Sequence, residues 1–165
     1  MANTDWYHSV LAGAGEVIVV NNPVLTVAGA YHAADFVGTS ATCMTLPLCS
    51  RVTGGSGAIM EAVLIDKAFQ SASTELWLFD AAVTPPNDNA AWTISDAHAA
   101  TFLGILTFTT WYASAANSVS NSAGTNPLGF KCAVGSQSLY GCFVTRGTPT
   151  YASLDLTVRL KILQY

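Results

Sequence analysis

Ten carboxylates, three histidines, four cysteines and one Gly-Gly-Ser-Gly turn are the residues from which this 165-residue chain would have to build a reactive site. General acid and base chemistry needs two titratable groups held together. Asp80, Asp88 and Asp96 instead each border a turn, where Asp is common because its carboxylate bonds nearby backbone amides. His8, His32 and His98 lie far apart, with no close pair to seed a metal site. Gly54 to Gly57 lacks both the strand-to-helix setting of a nucleophile elbow and the Lys and Ser/Thr of a phosphate-binding loop. Asn87-Asp88-Asn89 concentrates oxygens that suit calcium, but its spacing matches no calcium loop, and a turn bonding its own backbone accounts for the same residues. The expectation is a protein that is not an enzyme and holds no cofactor and no metal.

The cysteines point the same way. Cys43 and Cys49 are six residues apart and Cys132 and Cys142 ten, which misses the tight pairs of zinc sites. Free thiols are the default in a chain without an export signal, with Cys132 and Cys142 packed in strands. Cys43 with Cys49 is the pair better placed for a disulfide.

The elements that position these residues are β-strands. Residues 58–65, 74–79, 138–145 and 154–163 alternate apolar and polar side chains, which puts one sheet face against a core. Shorter strands are expected at 16–20, 23–27, 31–37, 41–52, 104–112 and 130–134. Pro47 belongs at an edge or bulge. Thr84 to Asn89 reads as a loop, Ala113 to Gly129 as a long small-polar loop, and Ser95 as the cap of a short helix from Asp96 to Phe102. The fold class is all-β, a jelly-roll-like β-sandwich of about eight strands with one short helix. Residues 1–15 read as an N-terminal arm and 16–165 as a single domain.

Half of the chain is apolar (51%) and only a tenth is charged (10%), against roughly a quarter charged in average soluble domains. Such a weakly charged surface implies burial against partners in an assembly. A net charge of -4 with six scattered basic residues excludes nucleic acid as a partner. No apolar run reaches the roughly 20 residues that span a membrane, and the first residues lack a signal-peptide pattern, so the chain reads as soluble and made in the cytoplasm.

The segments Ser56 to Asp66, Leu76 to Asp80, Pro86 to Asp96, Leu139 to Tyr151 and Leu156 to Gln164 together resemble the small virion proteins of tailed bacteriophages whose genes lie beside the major capsid gene, the head decoration or cement proteins. The resemblance covers about two-thirds of the chain and rests on strand and turn patterns. It implies a jelly roll or related sandwich that assembles as a homotrimer on the outer surface of the head, binds the major capsid protein and clamps neighbouring capsomers. On that reading Trp6, Tyr7 and His8 of the arm contact the capsid, and Arg146, Arg159 and Tyr165 serve oligomer or capsid contacts. The alternative is a tail or fibre module that grips host-surface carbohydrate through Trp77, Trp92, Trp111 and Tyr112. Trp77 and Trp111 sit in apolar strands that favour the core, and Trp92 is the one expected to be exposed.

Overall fold

The computed structural model describes residues 15–122 and 127–165. Among these, thirteen strands and one helix follow in chain order. The first five are β1 (Gly15–Asn21), β2 (Gly29–Ala30), β3 (Phe36–Val37), β4 (Met44–Leu46) and β5 (Ser56–Asp66). Then come β6 (Thr74–Phe79), α1 (Asp96–Ala99), β7 (Phe102–Phe108), β8 (Tyr112–Ala113), β9 (Ser118–Asn121) and β10 (Leu128–Lys131). β11 (Leu139–Thr145), β12 (Thr150–Tyr151) and β13 (Leu156–Gln164) complete the chain. Eight of the thirteen, β1, β5, β6, β7, β9, β10, β11 and β13, have four residues or more. No helix is long and apolar enough to cross a membrane among the described residues.

Two antiparallel sheets make an all-β sandwich, and β2 pairs with β12 in a separate two-stranded sheet. The first runs β1-β13-β5-β9-β8, with β10 sharing the edge of β5 with β9; the second runs β3-β11-β6-β7, with β4 sharing the edge of β11 with β3. The inward alternation of β5 and β13 supplies Ile59, Ala62, Leu64, Val158, Leu160 and Ile162. Leu76, Leu78, Leu106, Phe108, Leu139 and Phe143 of the second sheet meet them in one cluster. Cutting a fully buried leucine such as Leu64 or Leu160 to alanine costs about 2–5 kcal/mol, since both lost contact and cavity count.

A β-bulge adjusts that alternation. Lys161 pairs with Glu61 but Ile162 pairs with Ile59, so Met60 is the extra residue. Met60 and Glu61 are both exposed, while Ile59 before the bulge and Ala62 and Leu64 after it all face inward. The second sheet is covered on its outer face as well. Phe36, Cys43, Phe79, Val83 and Cys142 form a second cluster there, with Trp77, Trp92, Ile94 and Tyr140 packed on it from residues 77–94 and 140. A strand buried on both faces loses its polar partners. That is why residues 139–145 read almost continuously apolar.

Several expected elements differ. Residues 23–27 form no strand: Pro23 removes a donor, and Thr26 instead donates its N–H to the carbonyl of Gly38 at 3.2 Å. Of 31–37 only β3 forms a strand, and of 41–52 only β4, which stops before Pro47; Asp35 and Thr42 make isolated bridges to Ala91 and Thr39. The loop expected from Ala113 to Gly129 holds β9 and begins β10, because Ser118 and Ser120 are fully buried despite their polarity. The helix is shorter than expected. Its cap is as read, with the Ser95 hydroxyl accepting from the His98 N–H at 3.3 Å.

Candidate functional site: the uncovered face of the first sheet

The two sheets differ in what lies outside them. The aromatic cover of the second sheet is a chain of ring contacts: Phe36 stacks on Trp92 at 5.9 Å, Trp92 meets Trp77 edge-on at 5.5 Å, and Phe102 lies 5.3 Å from Trp77 and 5.8 Å from Phe79. The outer face of the first sheet has no such aromatic cover among the described residues: Arg159, Lys161, Glu61 and Tyr112 are exposed on it, while Thr157 is buried.

Strand register sorts that face into rows. Val20, Arg159, Val63 and Asn121 stand opposite one another in one row, and Thr157, Ile65, Val119 and Tyr112 in the next but one, with Lys161 opposite Glu61 beyond Arg159. Val63, Ile65 and Val119 are half-buried, whereas Val20 is 53% and Tyr112 66% exposed. Lys161 Nζ lies 3.6 Å from Glu16 Oε1, an exposed pair of the kind that contributes about 0–1 kcal/mol. Glu16, Glu61, Arg159 and Lys161, with Val63 and Leu160, line a shallow groove of about 290 Å³. Two acids and two bases leave this groove without net charge. Apolar rows with balanced charges can bury area against a protein surface.

The residues singled out in the sequence fall in different places. Trp6, Tyr7 and His8 lie outside the described residues. Arg159 is exposed at the centre of the uncovered face. Tyr165 ends the chain beyond β13, 57% exposed, its N–H donating to the Ser56 carbonyl at 3.0 Å. Next to it Gln164 Nε2 donates to the carbonyl of Leu48, itself 60% exposed. Arg146 stands apart from Arg159, on the second sheet, where its Nη2 lies 2.7 Å from Glu75 Oε2. Burial raises the Glu75 carboxyl, but hydrogen bonds from Arg146 and from Trp77 Nε1 at 2.8 Å outweigh it and hold the group below its usual range. Arg146 therefore orients a side-chain network on its own sheet. Glu75 was not singled out from sequence, although its position two residues from Trp77 puts the two on one strand face.

The four aromatics of the carbohydrate alternative do not form one platform. Trp77 and Trp92 pack edge-on within the cover of the second sheet, and Trp111 packs on the main core. Trp92, expected to be exposed, is half-buried because Phe36 occupies its face. Tyr112 is the exposed aromatic.

Asp88 is 4% exposed and its carboxylate accepts from the N–H of Val27 at 2.6 Å, the hydroxyl of Tyr31 at 2.9 Å and the N–H of Gly38 at 3.1 Å. The Asn-Asp-Asn loop is thus a clamp on residues 27–38. Among the described residues no three of His, Cys, Asp and Glu converge as metal ligands would. The cysteines are all buried and free. Cys43 belongs to the outer cluster with Cys142, and Cys49 to the main core with Cys132, so the structure separates the pair that seemed suited to a disulfide. Burial pushes the Cys49 thiol up to about 12 and the Cys142 thiol higher still. Asp66, fully buried, accepts from the N–H groups of Ala68 at 2.9 Å and Ser71 at 2.7 Å, yet burial still raises its carboxyl above the ordinary value of 3.8.

No protein-family model matches this chain, and no curated protein matches it.

Proposed function

We propose that the protein is a head decoration protein of a tailed phage, sitting on the outer surface of the capsid as a homo-oligomer, binding the major capsid protein and stabilising contacts between capsomers. The observation that carries this reading is the asymmetry of the sandwich. One sheet is sealed by its own aromatic cover, and the other offers apolar rows and balanced charges with no such cover among the described residues. A cement protein works by adding buried area at weak junctions, and lattice symmetry multiplies each modest contact. The low charge of the chain and the strand and turn patterns it shares with such proteins support the same reading.

The test mixes the full-length protein with shells that lack it and follows co-sedimentation together with the melting temperature of the shells. Expected are saturable binding, a rise in shell melting temperature, loss of binding when residues 1–12 are removed, and binding weakened about tenfold by Arg159→Glu on the uncovered face. If the full-length protein ignores the shells the reading fails, and depletion onto glycans through Tyr112 becomes the hypothesis to test.

A further inference from the structure

Among the described residues β1 has no strand paired to its outer edge. It is the end strand of the first sheet, and among the described residues Gly15–Asn21 bond through the backbone only to β13. Every second N–H and C=O of such a strand turns away from its one neighbour. Natural edges are protected by shortness, bulges, Lys or Pro. Four of the others here follow that rule: β8, β3 and β4 have two or three residues, and β7 carries a bulge where Leu103 is skipped between Gly104 and Phe102. β1 has none of these devices. Its seven residues pair with β13 in unbroken register, it contains neither Lys nor Pro, and Glu16 is its single charge.

We propose that β1 is a homotypic pairing edge: two copies of this chain add their β1 strands to each other, antiparallel about a two-fold axis at residue 18, and join their first sheets into one. The strand is its own complement in this register. Val17 comes opposite Val19 of the second copy, and both valines already face the core side, Val19 at 6% exposed and Val17 packed against the main cluster. The seam therefore extends two cores. On the outer face Glu16 comes opposite Val20 of the second copy, covering a valine that is 53% exposed. Val20 stands beside Arg159 in its own sheet. Arg159 of the second copy then lies two strand spacings, about 10 Å, from Glu16, a gap the two side chains span above Val20. The two-fold repeats this acid-base approach on the other side, and no like charges are set directly opposite. The assembly is a dimer, where the resemblance above implies a trimer, and it stands independently of capsid binding.

Sedimentation equilibrium of the full-length protein over a dilution series reads this directly. The expected species is twice the chain mass of 17.2 kDa, dissociating on dilution. Val20→Glu sets two carboxylates opposite each other at both ends of the seam and weakens the dimer about tenfold or more, with thermal melting of the diluted chain unchanged. Adding Glu16→Lys to that variant restores the dimer. Register is tested by mixing Glu16→Cys protein with Val20→Cys protein under mild oxidation; the native thiols are buried, so a cross-linked heterodimer forms in the mixture and neither variant cross-links by itself. A monomer at every concentration overturns the proposal. So does a dimer that tolerates Val20→Glu and gives no cross-link, or one abolished by deleting residues 1–12 with no cross-link, which would assign association to the arm.

Discussion

Removing the Asp88 carboxylate is the sharpest stability experiment the structure offers. Three donors converge on this 4% exposed group, from Val27, Tyr31 and Gly38, and its own N–H is held by the Ser40 hydroxyl at 3.0 Å. Hydrogen bonds to a charged acceptor contribute about 1.5–3 kcal/mol each, and a buried donor left unpaired costs about 1–3 kcal/mol. The bonds are not additive, and the Val27 amide is only partly buried. Asp88→Ala should therefore cost about 3–5 kcal/mol, which in a chain of this length is a fall of roughly 6–20 °C in melting temperature. Asp88→Asn keeps one acceptor oxygen and should cost about half as much. Urea unfolding followed by Trp fluorescence measures both, with Asp96→Ala as control, since Asp96 is exposed in the first turn of α1 and should cost less than about 1 kcal/mol. If Asp88→Ala costs no more than the control, the clamp reasoning is refuted. A calcium-induced rise of several degrees in the wild-type melting temperature would refute it from the other side, by showing that the carboxylate serves an ion.

Three further outcomes follow from the same geometry. A Cβ on Gly57 would meet the Leu163 carbonyl oxygen at 2.6 Å and the Phe130 ring at 2.7 Å, so Gly57→Ala should cost about 1–3 kcal/mol, whereas Gly129→Ala, which meets nothing within 4 Å, should be near neutral; equal urea midpoints would sink this. Because burial raises the Asp66 carboxyl, the folded state holds its proton more tightly than the unfolded chain does, and this contribution is present below the ordinary value of 3.8 and lost as pH rises through the raised folded value. Urea midpoints of wild type should thus fall relative to Asp66→Asn over that window, and parallel curves would contradict it. Finally, with all four thiols buried and Cys49 and Cys142 pushed far up, a thiol reagent at mildly alkaline pH should find almost none in the native protein and four per chain in urea; a rapidly reacting native thiol would show the clusters to be open.

The principal strands were legible because their alternation is a one-dimensional trace of a two-sided environment. Residues 58–65, 74–79, 138–145 and 154–163 need only their own sequence to declare which side is apolar, and the Ser95 cap is likewise a local matter of one hydroxyl and nearby amides. β9 was not legible. Its Ser118 and Ser120 are buried beside β5, and no local pattern marks a polar residue as buried when the strand that buries it lies more than fifty residues away. The same distance hides the candidate face, where Val20, Arg159, Val63 and Asn121 become neighbours through three separate pairings.

What the sequence by itself determined is the class of the protein: sheets, scattered reactive groups and a surface poor in charge all follow from residue type and period two. Only the tertiary structure decided that Asp88 clamps residues 27–38, that Cys43 neighbours Cys142 rather than Cys49, and that one sheet carries an aromatic cover which the other lacks among the described residues. Alternation states that a strand has two faces. It carries no information on whether the second face meets water or another stretch of chain, because that depends on the path taken by segments such as 80–94, and on which strands are left at the edges once all the ladders have closed.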